Sequence, residues 1–157
     1  MTLKELRISF GLTQIEASNS IGVPLRTYKR YESNPDESNL KYQKMVELLL
    51  NKYEITEIKG IYSLDELKSI ILNVIDQYKD DISFCYIFGS YAKGYAKEES
   101  DVDICINTTL TGFKFVGLVE KLHQALKKKV DVIRFNDLKD NLELINEIMK
   151  DGIKIYG

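Results

Sequence analysis

The chain has 157 residues, 44% of them hydrophobic, and a formal net charge of −2, which fits one medium or two small globular domains. This balanced charge excludes a global basic field for nucleic acid, so any such contact must come from a local patch. No apolar run approaches the length of a membrane span, and the charged residues Lys4, Glu5 and Arg7 argue against a signal peptide. We expect a cytoplasmic protein without a membrane partner, in which Cys85 and Cys105 are buried thiols.

The N-terminal third carries the signals of short helices separated by tight turns. Thr13 followed by Glu16 has the capping-box pattern that opens a helix, and Gly22 is suited to end it. A third helix follows that turn, and apolar residues at helical spacing predict a fourth over residues 40–53. We therefore expect an all-α domain over residues 1–55.

The third of these helices carries a basic face. Arg26, Lys29 and Arg30 stand at positions i, i+3 and i+4 and therefore point to one side. A helix of this kind would lie in a major groove of DNA and make contact through Arg26, Thr27, Lys29 and Arg30, with Gln14 touching phosphate. The alternative is a solvated charged face on a small helical domain, because acidic residues offset the basic ones.

These helices resemble the Cro/repressor-type helix-turn-helix family over roughly residues 3–55. The likeness is carried by Leu12-Thr13-Gln14-x-x-Ala17, by Ile21-Gly22-Val23 and by Arg30-Tyr31-Glu32. The family more often has a small polar residue at Pro24 and Trp at Tyr31, but neither departure alters the inferred geometry. The resemblance implies operator DNA as a partner and, since such modules usually read DNA as dimers, a homodimer.

Helical periodicity is lost over residues 54–62, where we place a domain boundary, and a second domain is expected over residues 63–157. Ser63 followed by Glu66 opens a long helix whose apolar stripe would cover one face of a sheet. Apolar runs predict strands at residues 82–88, 102–106, 130–133 and 153–156, and helical spacing predicts helices at residues 112–127 and 138–149. The expected fold class of this domain is α/β (α+β).

A polar segment with a distinct spacing separates the first two predicted strands. Gly89-Ser90 ends the first strand, and ten residues later Asp101-x-Asp103 opens the second. Strand alternation puts both carboxylates on one face, where their mutual repulsion favours a cation such as Mg²⁺. A glycine lets a phosphate approach the backbone, and amides at a helix start favour the anion. The segment therefore indicates nucleotide chemistry.

The fuller pattern, Gly89-Ser90-x-Ala92-x-Gly94, five residues, then Ser100-Asp101-x-Asp103, resembles the DNA polymerase beta-type nucleotidyltransferases and their minimal nucleotidyltransferase branch. The resemblance implies a mixed sheet and a third metal-binding acid, which we carry onto Asp131. A carboxylate inside an apolar strand is costly unless something pairs it, which agrees with that role. An ordinary strand-edge aspartate is the alternative.

The mechanism that the resemblance implies is in-line displacement at the α-phosphate of ATP, with two Mg²⁺ ions as cofactors. Asp101 and Asp103 would bridge the metals, and Asp131 would bind one of them and help deprotonate the incoming hydroxyl. Gly89-Ser90 would hold the β- and γ-phosphates. Lys93 would bind the nucleotide by neutralising its charge or would simply be solvated.

Minimal nucleotidyltransferases are typically antitoxins paired with HEPN-family ribonuclease toxins, and some transfer AMP from ATP to a toxin tyrosine. The resemblance implies such an antitoxin, of the type VII-like HEPN/MNT kind, that also binds operator DNA for autoregulation and assembles with its toxin or with itself. Three alternatives stay open: a catalytically inactive antitoxin that acts by binding alone, a small-molecule nucleotidyltransferase, and a protein that is chiefly a transcriptional regulator.

Overall fold

The structure, a computed structural model, describes residues 1–157 and divides into two compact units, Met1–Glu54 and Ile55–Gly157. Neither unit contains a helix with the length and apolar character needed to cross a lipid bilayer. Cys85 and Cys105 are both free and buried, which confirms the expectation from their apolar sequence context.

The first unit consists of four helices: α1 (Leu3–Ser9), α2 (Gln14–Ser20), α3 (Leu25–Ser33) and α4 (Leu40–Tyr53). The predicted capping box opens α2, because the hydroxyl of Thr13 accepts from the amide of Glu16 while the Glu16 carboxylate accepts from the amide of Thr13. The small core draws on all four helices and contains Leu3, Ala17, Tyr28, Tyr42, Met45 and Leu49.

A buried ion pair links α1 to α3 in this unit. Arg7 donates from Nε to Oε2 of Glu32 at 2.9 Å and from Nη2 to Oε1 at 2.8 Å. The side-chain amide of Gln14 donates to the same carboxylate at 3.2 Å. Burial pushes the pKa of Glu32 upward, but the hydrogen bonds from Arg7 and Gln14 outweigh it and hold this pKa below its ordinary value.

The second unit combines helices with strands. The helices are α5 (Leu64–Ile75), α6 (Gly89–Lys93), α7 (Gly112–Leu126) and α8 (Leu142–Asp151). The strands are β1 (Ile82–Phe88), β2 (Val102–Thr108), β3 (Val130–Arg134) and β4 (Ile153–Tyr156). The capping box predicted at Ser63 opens α5. Helix α8 begins later than its apolar spacing predicts, because Leu138 follows a 3₁₀ turn and packs from there.

The four strands form one mixed sheet in the order β3-β2-β1-β4. Strand β1 lies antiparallel to β2 and β4, while β2 and β3 run parallel. This arrangement confirms the expected fold class. The parallel pair has a direct consequence for function, since its register places Asp103 beside Asp131.

The two faces of the sheet are covered by different helices. Helices α5 and α7 pack on one face, where Val102, Ile104 and Ile106 of β2 enter the larger core. Helix α8 packs on the opposite face, where Cys105 is buried against Ile148. Because side chains alternate along β2, Asp103 lies on the α8 face, at the end of the strand.

Candidate active site

The glycine at the end of β1 is in direct contact with an acid of β2. Gly89 begins α6 with a φ of 70°, in the left-handed region that favours glycine. A Cβ atom at this position would overlap Oδ2 of Asp103 and lie 2.9 Å from its Cγ. Both the backbone conformation and the adjacent carboxylate therefore require glycine here. Helix α6 is a single short turn that ends at Gly94, with a φ of 83°.

Three predicted acids lie at the same end of the sheet. Asp101 immediately precedes β2, Asp103 lies within β2, and Asp131 is its register partner on β3. Asp101 and Asp103 are half-buried, whereas Asp131 is exposed. β3 is an edge strand of the sheet, so water reaches the Asp131 carboxylate, and its metal role stays a prediction.

The negative charges at this end of the sheet act on one another. The pKa of Asp103 is raised to about 6, by burial first and then by the charges of Asp131, Asp101 and Glu147. A carboxyl group under this repulsion is stabilised when a cation binds beside it. The charge pattern therefore fits a divalent metal ion.

The side chains as placed do not yet converge on one point. No group of three or more Asp, Glu, His or Cys side chains has the spacing of metal ligands. Asp101 is oriented toward Lys129, whose Nζ lies 4.0 Å from its Oδ2. The carboxylates are thus close enough to repel one another, although no three of them have the spacing of metal ligands. Their donor set consists only of hard oxygens, which Mg²⁺ prefers, so the residues fit that ion.

Glu147 is a residue of the site that the sequence reading missed. Its Oε1 accepts from Nζ of Lys93 at 2.8 Å, and this hydrogen bond is the main cause that raises the pKa of Lys93. The same carboxylate raises the pKa of Asp103. Lys93 is therefore paired with Glu147 on a partly exposed surface, and its contact with a nucleotide stays a prediction. No local sequence signal marks Glu147, because only the packing of α8 on the sheet brings it here.

The residues predicted to bind DNA lie on two helices of the first unit. Arg26, Lys29 and Arg30 are exposed on α3, and Thr27 is half-buried. The Arg30 guanidinium lies over the ring of Tyr31, 5.2 Å from its centroid. Gln14 is the first residue of α2 and is oriented by its hydrogen bond to Glu32. The three basic side chains thus form one accessible face.

Comparison with known families agrees with both units. Residues 69–157 match the family described as Polymerase beta, Nucleotidyltransferase, and residues 3–54 match the family described as Helix-turn-helix. The first match spans more than half of the chain. The protein belongs to the polymerase beta nucleotidyltransferase family. It is a nucleotidyltransferase with an N-terminal helix-turn-helix unit, as the motifs predict.

Among its relatives, the protein adenylyltransferase MntA of Thermococcus cleftensis is 32% identical over 87 residues, which cover 53% of this chain and 88% of that protein. The Methanocaldococcus jannaschii protein MJ1215, a candidate protein adenylyltransferase, is 36% identical over 80 residues, or 48% of this chain and 93% of its own length. Both matches are shorter than the present chain, which carries the helix-turn-helix unit in addition.

Solved structures share the fold of the second unit. A chain from a crystal structure of a toxin-antitoxin with AMP-PNP superposes with a TM-score of 0.51 at 24% identity, covering 57% of this chain and 73% of that chain. A candidate minimal nucleotidyltransferase gives a TM-score of 0.51 at 23% identity, covering 60% of this chain and 97% of its own. At this level of identity the comparison establishes the fold.

Proposed function

We propose that this chain is an antitoxin that transfers AMP from ATP to a tyrosine of a cognate HEPN-family ribonuclease toxin, in the cytoplasm. The observation that carries the proposal is the contact of Gly89 with Asp103, beside Asp131 in register, which joins a phosphate-binding turn to a carboxylate pair. The kinship with MntA, a protein adenylyltransferase, favours a protein acceptor over a small molecule. The toxin–antitoxin complex of the same fold suggests the kind of partner.

Different residues of the site are assigned to metal binding, phosphate binding and proton transfer. Asp101, Asp103 and Asp131 would hold two Mg²⁺ ions, which supply neutralisation of the triphosphate and of the attacking oxygen. The amides and hydroxyl of Gly89-Ser90 bind the β- and γ-phosphates. Asp131 accepts the phenol proton of the toxin tyrosine. The tyrosine oxygen then bonds to the α-phosphorus, the bond from that phosphorus to the bridging oxygen breaks, and pyrophosphate leaves.

The deciding experiment is the intact mass of the neighbouring gene product after incubation with this chain, ATP and Mg²⁺. We expect a gain equal to one or more AMP groups. Loss of two of the three carboxylates in Asp101→Asn with Asp103→Asn should abolish this gain, because the remaining acid cannot hold the metal ions that balance the charge of the triphosphate.

Peptide mapping of the modified product should place AMP on tyrosine. A stable complex without any mass gain would overturn the catalytic proposal and leave neutralisation by binding alone. Retained transfer in the double variant would overturn the assignment of the metal ligands. Transfer to a small molecule but to no protein would identify the chain as a small-molecule nucleotidyltransferase.

We further propose that the helical unit binds operator DNA and thereby regulates its own operon. The supporting observation is the exposed basic face formed on α3 by Arg26, Lys29 and Arg30. A helix presenting such a face can enter the major groove, while Gln14 and Thr27 lie beside it for phosphate or base contacts. Two copies of the chain would read the two halves of an operator.

A further inference from the structure

A lysine is fully buried in the second unit without a carboxylate to pair it. Lys128 lies between α7 and β3 and has no exposed surface. Its Nζ donates to the backbone carbonyl of Lys59 at 3.1 Å and to the backbone carbonyl of Glu98. Burial lowers the pKa of Lys128, against the charges of Glu98 and Glu99. A lysine is almost never fully buried in this way, so the position calls for an explanation.

One of the two carbonyls, that of Glu98, belongs to the turn that directly precedes Asp101. The amide of Ser100 donates to the carbonyl of Lys97 at 3.0 Å, and the amide of Lys97 donates to Oγ of Ser100 at 2.7 Å. Glu98, whose carbonyl accepts from Lys128, lies inside this turn, and Asp101 is the residue directly after it. The ammonium therefore fixes the segment from which Asp101 extends.

The other carbonyl belongs to the segment that leads into α5. Lys59 forms a turn with Thr56, whose amide donates to the Lys59 carbonyl at 2.9 Å. The amide of Gly60 also reaches Oε1 of Glu98 at 3.4 Å. Lys128 thus connects the active-site turn to a second loop. Both segments lie outside the helices and strands, so the hydrogen bonds of regular secondary structure do not hold them in place.

The strand after the turn is held from the same side. The amide of Val102 donates to the carbonyl of Lys129 at 2.9 Å, so consecutive residues, Lys128 and Lys129, clamp the chain before and after Asp101. An apolar side chain of similar length would avoid the cost of burying an ammonium but would leave the carbonyls of Lys59 and Glu98 without this donor. The position therefore serves the contact with these two loops, one of which is the active-site turn.

We propose that Lys128 is a positioning residue that holds Asp101 in place for the metal ion. It acts through the Glu98 carbonyl and touches neither nucleotide nor metal. This inference rests on the metal role assigned to Asp101 under the proposed function.

The test is Lys128→Met in the full chain, compared with the wild type by calorimetric titration with Mg²⁺ in the absence of ATP. We expect Mg²⁺ affinity to fall by about tenfold or more, as is typical when a residue supporting a metal ligand is removed. The Mg²⁺ concentration for half-maximal AMP transfer should rise by a similar factor. Thermal stability should fall modestly, because the Glu98 carbonyl loses its donor while the cost of the buried charge is removed.

Lys129→Met is the matched control. It removes the neighbouring positive charge, which lies 4.0 Å from Asp101, but leaves the turn fastened, so Mg²⁺ affinity should not fall. Wild-type Mg²⁺ affinity in Lys128→Met would overturn the inference. If that variant fails to fold, Lys128→Gln, which keeps a donor group on a shorter and uncharged side chain, should fold with weaker Mg²⁺ binding, and unchanged binding there would overturn the inference equally. A wild-type chain that takes up no Mg²⁺ would overturn the proposed function first, and this inference with it.

Discussion

At the scale of single residues, Asp103 carries its charge at a cost to the folded chain. Its ordinary pKa is 3.8, and burial together with three neighbouring carboxylates raises it to about 6. Folding therefore takes up protons between these values, so the stability contributed by this group is greatest at low pH and is lost as pH rises through about 6. A metal ion bound at the site would offset the same repulsion.

We expect Asp103→Asn to raise the melting temperature of the metal-free protein at pH 7.5, because the amide removes the repelled charge while keeping the side-chain shape. Near pH 4 the variant and the wild type should melt much closer together, since Asp103 is then largely protonated when folded. A series of thermal melts across this range in the presence of a chelator measures the difference. A constant difference across the series would contradict the assigned cause.

At the scale of the elements, the Arg7–Glu32 pair fastens α1 to α3. Removal of one partner leaves the other as a buried, uncompensated charge, which costs more than the loss of the pair as a whole. The pair also orients Gln14, so the position of α2 depends on the same carboxylate.

Arg7→Met should therefore destabilise the chain by about 3 kcal/mol, near the lower end of the range for a broken buried pair. Adding Glu32→Met should recover most of that loss, because no unpaired charge remains. Urea unfolding followed by circular dichroism provides the comparison. A single variant as stable as the double variant would show that the pair is effectively solvated.

Most helices and strands could be predicted from the sequence, but the tertiary contacts of individual residues could not. Capping boxes at Thr13 and Ser63 are local signals, and both were confirmed at the helices they open. The role of Glu147 depends on the packing of α8 on the sheet, and the role of Lys128 depends on the contact between two loops. Neither contact produces a periodic pattern in the sequence. Asp131 is exposed because β3 is an edge strand, and the apolar run around this residue carries no information on strand order.

At the scale of the whole molecule, DNA binding and AMP transfer are assigned to different compact units. We expect Arg26→Ala with Lys29→Ala to weaken binding to the DNA upstream of this chain's own gene, and to reduce the dependence of binding on salt, because two phosphate-facing charges are lost. AMP transfer should be unchanged. Fluorescence anisotropy across a salt series and the mass assay measure the two activities.

Lys41→Ala with Lys44→Ala is the matched control, since it removes the same charge from exposed positions on α4. Asp101→Asn with Asp103→Asn should show the reverse pattern, with DNA binding retained and transfer lost. Equal DNA affinity in the α3 double variant and the wild type would reject α3 as the recognition helix.

The contact between Gly89 and Asp103 also constrains how this protein can lose its activity through mutation. While Asp103 is present, any side chain at position 89 collides with it, so the glycine cannot be replaced without displacing that carboxylate. Once Asp103 has become a smaller residue such as alanine, the overlap with the carboxylate disappears, and the positive φ and a tight Cβ contact of 3.3 Å still oppose substitution. Asn tolerates that conformation better than most residues. A loss of Asp103 therefore relaxes the constraint on position 89, whereas a loss of Gly89 displaces Asp103.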